Sequence, residues 1–144
     1  MTSSILVGID DSEASVRAAE FAAAVARSQD VKLIVVYVIQ WSPFAFNTLE
    51  ENEYRSKRRE EEIQSAHSKV LSPIITKLSE AKTKVEGFVR HGRPAELLNY
   101  LVREENISQI FIGKTGASGL KGLMFGSVTS NLVQTTTVPI TVVP

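Results

Sequence analysis

Strands alternating with helices along nearly the whole chain predict an α/β doubly wound fold, a sheet of five parallel strands flanked by about four helices. Three observations carry that expectation. Ile5-Leu6-Val7-Gly8-Ile9 and Leu33-Ile34-Val35-Val36-Tyr37-Val38-Ile39 are short apolar runs, the second nearly continuous rather than alternating, as a strand covered on both faces requires. Stretches with helical period lie between such runs. Five of the eight glycines, Gly113, Gly116, Gly119, Gly122 and Gly126, fall within fourteen residues after the fourth run.

The first run stops at Asp10-Asp11-Ser12, a helix-capping cluster, so it reads as strand, tight turn and helix. From Ser12 to about Ser28, Val16, Ala19, Ala23 and Ala26 share one helical face, and small side chains allow close packing on a sheet. After strand two, Trp41 to Asn47 shows no period and reads as a loop over an edge or an interface. Glu50 to about Lys82 is a charge-rich helical crossover with Ile63, Val70, Ile74 and Leu78 as its apolar positions, and Ser72-Pro73 predicts a kink or a stop and restart. Lys84 to Arg90 is strand three, Gly92-Arg93-Pro94 a turn and helix start, and Leu97, Leu98, Leu101 and Val102 the inward stripe of the helix that ends near Glu104. Ile107 to Gly113 is strand four, a helix begins near Ser127, and Val138 to Val143 is the last strand.

The 144 residues suit a single domain, 1–144, with no repeat and no low-complexity tail. Sixteen basic residues balance sixteen acidic ones, so no general field draws the chain to nucleic acid or an anionic bilayer. The absence of cysteine removes disulfides, thiolate nucleophiles and cysteine-ligated metal centres. No apolar stretch approaches bilayer-spanning length and no signal peptide is read at the N-terminus, so the expected location is cytoplasmic, without membrane insertion.

The glycine segment carries the functional information. A strand feeding a loop of glycines and then a helix N-terminus suits phosphate, because glycine lets the backbone approach a ligand and the unpaired N–H groups at Ser127 and Val128 favour an anion. Lys114 and Lys121 are equally readable as phosphate contacts or as solvated loop lysines. Neither GxGxxG nor a Walker A motif is present.

The spacing Gly113-x-x-Gly116, nine residues, Gly126-Ser127 resembles the GxxG-x9-G(S/T) nucleotide loop of the universal stress protein family. Ile5 to Glu13 resembles the family's opening strand and VDGSE turn, Gly92-Arg93-Pro94 its G-x-P, and Val138 to Val143 its CPVLVV ending, so the resemblance spans essentially the whole chain. It implies a Rossmann-like domain that binds ATP or AMP, with Mg2+ as the accompanying ion, and a homodimer through the C-terminal strand Val138 to Val143. It places Gly8, Ile9 and Asp10 along the adenosine, the Val38 backbone on adenine, Ile112 and Gly113 at the ribose, Gly116 at the loop opening, and Gly126, Ser127 and Val128 on the phosphates. Asp11 departs from the family's usual glycine and adds negative charge near the mouth.

No GxSxG, HExxH or paired-carboxylate motif appears, and His67 and His91 read as surface histidines, so binding is favoured over turnover. The function expected is a nucleotide-binding stress-response regulator acting through ligand-dependent conformation. The alternatives are a nucleotide-free dimeric interaction protein, using the Trp41 to Phe46 segment, and a weak ATPase or phosphotransferase.

Overall fold

Each apolar run of the sequence becomes a strand of one parallel sheet in the computed structural model, which describes residues 3–40, 49–114 and 127–144. In chain order the elements are β1 (Ser4–Ile9), α1 (Glu13–Gln29), β2 (Leu33–Gln40), α2 (Leu49–Ala66), a π-helical turn (His67–Leu71), α3 (Ser72–Glu80), β3 (Val85–Gly92), α4 (Pro94–Glu104), β4 (Ile107–Gly113), α5 (Ser127–Thr135) and β5 (Ile140–Val143). The strand order is β3-β2-β1-β4-β5, with every neighbouring pair parallel. The expected five-stranded doubly wound sheet is therefore observed.

The period of two along each strand sorts the core into two layers. Ile5, Val7, Ile9, Leu33, Val35, Val89 and Phe111 face α1 and the α2–α3 crossover. Leu6, Ile34, Val36, Ile110 and Ile112 face α4 and α5, where Leu98, Leu101, Val102 and Leu132 meet them. Helix α1 buries Ala14, Ser15, Ala18, Ala19, Ala22, Ala23 and Ala26, so its backbone lies close on the sheet. Val16, expected inward, is half-buried at the margin of that stripe.

Two boundaries differ from the sequence reading, and a third is met in an unexpected way. The crossover restarts at Ser72-Pro73, where α3 begins with Pro73 in its first turn, but the helical path is carried there by the π-helical turn just before, where the Ser72 N–H donates to the His67 carbonyl. One wide turn accommodates a proline that has no N–H to give and whose ring would press on the preceding turn. Strand β3 continues to Gly92, because β2 runs on beside it to the pair Gln40↔Gly92, and α4 then opens at Pro94. Strand β5 starts at Ile140 rather than Val138, since the Val138 N–H is taken by the Thr136 side-chain oxygen in a turn.

Candidate functional site

The chain winds outward from β1 in two directions: β1, β2 and β3 step one way, and β4 and β5 fill the other side. The carboxyl ends of β1 and β4 thus flank a topological switch point, the place where an open α/β sheet leaves a crevice for ligands. The register shows how the crevice is made. The last β1–β4 pair is Gly8↔Ile112 and the last β1–β2 pair is Ile9↔Tyr37. Gly113 continues beside β5 alone, and Val38 continues beside β3 alone. Gly8, Ile9, Val38, Ile112 and Gly113 are therefore gathered at one end of three adjacent strands.

Asp10 leaves β1 into the N-terminus of α1, where a local network sets its position. Its Oδ1 accepts the Ser12 N–H at 2.8 Å, and the Ser12 side chain, as N-cap of α1, accepts the Ser15 N–H at 3.2 Å. The buried Ser15 Oγ lies 2.7 Å from the Asp10 carbonyl and accepts the Asp10 N–H at 3.2 Å. Capping and turn formation thus give an aspartate and two serines a structural role at this place.

Two of the site glycines also have packing reasons. A Cβ on Gly113 would stand 2.9 Å from the Ala14 carbonyl carbon and 3.0 Å from the Ser15 N, both backbone atoms that cannot swing aside. A Cβ on Gly8 would meet Leu98 Cδ1 at 3.3 Å. The absence of side chains at both positions lets α1 and α4 close on the strand ends from opposite faces.

Val128 stands in the first turn of α5 with its side chain against the α4-facing core, and Ser127 opens that helix. Lys114 is exposed, and its N–H donates to the Val143 carbonyl at 2.7 Å, which ties the beginning of the glycine segment to the end of β5. Gly116, Lys121 and Gly126, like the Trp41 to Phe46 segment, lie outside the described residues.

Tyr37 is a residue of the site that sequence reasoning passed over. Paired with Ile9 and half-buried, it has its phenol pushed above the ordinary value of 10.0, first by burial and then by the nearby Asp11 and Asp10 carboxylates. The available signal was one aromatic, polar-tipped residue within an otherwise aliphatic strand.

His91 corrects another expectation. It lies in β3, not in a surface turn; its side chain is only 10 % exposed, and its Nε2 is 3.1 Å from Glu62 Oε2 on α2. His67 is exposed, as expected. Among the described residues no group of three or more His, Asp or Glu gathers to hold a metal ion.

With fold and site in view, comparison with known proteins decides the family. The family model described as the universal stress protein family matches residues 1–144. The chain belongs to the universal stress protein family. Among curated relatives, universal stress protein YxiE of Bacillus subtilis is 30% identical over 148 aligned residues, which cover 99% of each chain. Among solved structures, that of MJ0577, a protein of Methanocaldococcus jannaschii, superposes with a TM-score of 0.83 at 23% identity, over 99% of this chain and 96% of that one. A universal stress protein in complex with cAMP gives a TM-score of 0.68 at 22% identity, over 99% and 96% of the two chains. The Archaeoglobus fulgidus universal stress protein in complex with dAMP also gives 0.68, at 20% identity, over 99% and 98%. The expected family and fold class are both found. Among the described residues no helix is long and apolar enough to cross a membrane.

Proposed function

We propose that this universal stress protein binds an adenine nucleotide, ATP or AMP, across the carboxyl ends of β1, β2 and β4, and acts as a cytoplasmic stress-response regulator whose partner-facing surface changes with occupancy. The observation that carries the reading is the position of the glycine motif. Gly113 ends β4 at the switch point and Ser127 begins α5, so Gly113-x-x-Gly116-x9-Gly126-Ser127 joins the crevice to a helix N-terminus. The complexes of two structural neighbours with cAMP and dAMP agree with that chemistry.

In this reading Gly8, Ile9 and Asp10 form one wall. The Val38 backbone, one residue past the last β1–β2 pair, presents main-chain donor and acceptor groups to the adenine edge. Ile112 and Gly113 border the ribose. Gly116, Gly126, Ser127 and Val128 hold the phosphates, with Lys114 and Lys121 supplying charge. Mg2+ would enter with the nucleotide, since that ion ordinarily takes one or two carboxylates together with phosphate oxygens and waters, and Asp10 and Asp11 are the carboxylates at this mouth. The functional unit is a single domain, 1–144, paired through the outer edge of β5 within Val138 to Val143, since β5 is an edge of the sheet and its Ile140 and Val142 are half-buried.

One observation favours a second reading. Gly113 is demanded by packing against the backbone of Ala14 and Ser15 whether or not a ligand binds, so a nucleotide-free interaction protein of the same fold would keep it. Calorimetric titration of ATP and AMP into the wild type and into Gly126→Val separates the two. Binding that is lost in the variant supports the phosphate loop. No heat with the wild type, together with no nucleotide released on denaturation, removes the nucleotide reading. Light scattering that gives one chain mass at micromolar concentration removes the dimer.

A further inference from the structure

Strand β3 is eight residues long, with β2 on one side and no strand on the other. Such an edge is a template for a further strand unless something blunts it. The Leu33 N–H donates to the Lys84 carbonyl, and the register pairs Leu33 with Val85. In a parallel pair this directs the backbone groups of Glu86, Phe88 and Arg90 toward β2 and turns those of Val85, Gly87, Val89 and His91 outward. Lys84 and Glu86, both exposed, are engaged with Asp30 at 3.2 Å and Lys32 at 2.7 Å. Arg90 is also exposed, but it turns to its own strand: its Nη1 donates to the Val89 carbonyl at 3.0 Å, and its Cζ stands 4.9 Å from the centroid of the Phe88 ring. The Val89 carbonyl is one of the outward acceptors, so the guanidinium occupies the place that the N–H of an added strand needs.

We infer that Arg90 guards the β3 edge, keeping it from pairing with the β3 edge of a second copy of this chain. In an antiparallel pair about a two-fold axis at Phe88, the Gly87 N–H of each copy would donate to the Val89 carbonyl of the other. Arg90 holds that acceptor already, and the face of the Phe88 ring keeps the planar guanidinium in place. Pairing would require the side chain to leave both the carbonyl and the ring. Glu86, which would then stand opposite Arg90 of the other copy, is already paired with Lys32. The other edge of the sheet is finished differently, since β5 carries no charged side chain from Ile140 to Val143. The guard at β3 acts whether or not β5 pairs.

Two substitutions test the guard. Arg90→Thr removes the whole cover and keeps a residue that favours strand, whereas Arg90→Met keeps an apolar stem over Phe88 and removes only the donor and the charge. Position 90 is exposed, so both variants should retain the fold, which circular dichroism and the urea midpoint verify. At high micromolar concentration we expect light scattering to give each variant a mass about twice that of the wild type, or more if β5 pairs as well. Hydrogen exchange should show protection rising with concentration over residues 85–91, where the outward amides lie. The baseline is the wild-type mass, so a monomeric wild type removes pairing through β5 without touching the guard. Three results overturn the inference: both variants at the wild-type mass, association without added protection over residues 85–91, or a wild type whose own amides there gain protection with concentration.

Discussion

Helices α1 and α2 have nearly the same length, 17 and 18 residues, and both lie on the same side of the sheet, yet they are used in opposite ways. Helix α1 is pressed onto the strands along its whole length by a stripe of alanines, and its N-terminus is locked by the Asp10–Ser12–Ser15 network. Helix α2 meets the core at its C-terminal end, through Ile63 and Ala66, and the Glu62–His91 contact fastens that end to β3. Both sequences favour helix. Small apolar side chains make the first a wall for the crevice, whereas dense charge leaves Ser56 to Glu61 of the second exposed. Propensity thus decides that a helix forms, and the stripe decides whether it is pressed on the core or left to solvent.

The contrast can be broken at its tightest point. Gly113→Val forces a side chain into the backbone of the first turn of α1, and we expect a loss of about 3 kcal/mol, the upper end of ordinary overpacking, read from the urea midpoint. A variant as stable as the wild type would mean that α1 does not sit as closely on β4 as described. A leucine introduced into each helix tests the two directly. Ala22→Leu should cost about 2 kcal/mol because its site is filled. Lys57→Leu, on the exposed part of α2, should stay within about 0.5 kcal/mol. Equal effects would abolish the distinction.

The cap of α1 is a smaller contribution. Ser12→Ala removes the acceptor for the Ser15 N–H and should cost about 1 kcal/mol in chemical denaturation, while Ser12→Gly should cost only a few tenths. The smallest effect sharpens the electrostatics of the crevice mouth. Because the Tyr37 phenol is raised in the folded state, the native protein holds that proton more tightly than the unfolded chain does. Stability is unaffected below about pH 10 and declines as pH rises from there through the folded value. Tyr37→Phe should flatten that alkaline decline in thermal melts, and an unchanged slope would remove Tyr37 from the influence of Asp10 and Asp11.

Much of this was legible in the linear pattern. The strands were found because a parallel sheet covered on both faces needs near-continuous branched residues, and Leu33 to Ile39 meets that need. The Asp10-Asp11-Ser12 cap was legible because N-capping is local chemistry between residues two or three apart. His91 was misplaced because nothing near it in sequence announces Glu62, which is 29 positions away and reaches it only when α2 folds over β3. The π-helical turn was likewise hidden, since a proline announces that the helix must adapt but not which turn will widen.

The sequence by itself determined the fold class, the family, the element order and the cap of α1, because periodicity, capping and motif spacing are properties of neighbours along the chain. Only the tertiary structure decided that Gly113 is a packing necessity against the backbone of Ala14 and Ser15, that Val38 lies beyond the last β1–β2 pair, and that Tyr37 shares the crevice mouth with two carboxylates. Those facts depend on the relative register of strands and on how closely helices settle on them. Register and closeness come from long-range packing, which no local stretch of sequence contains.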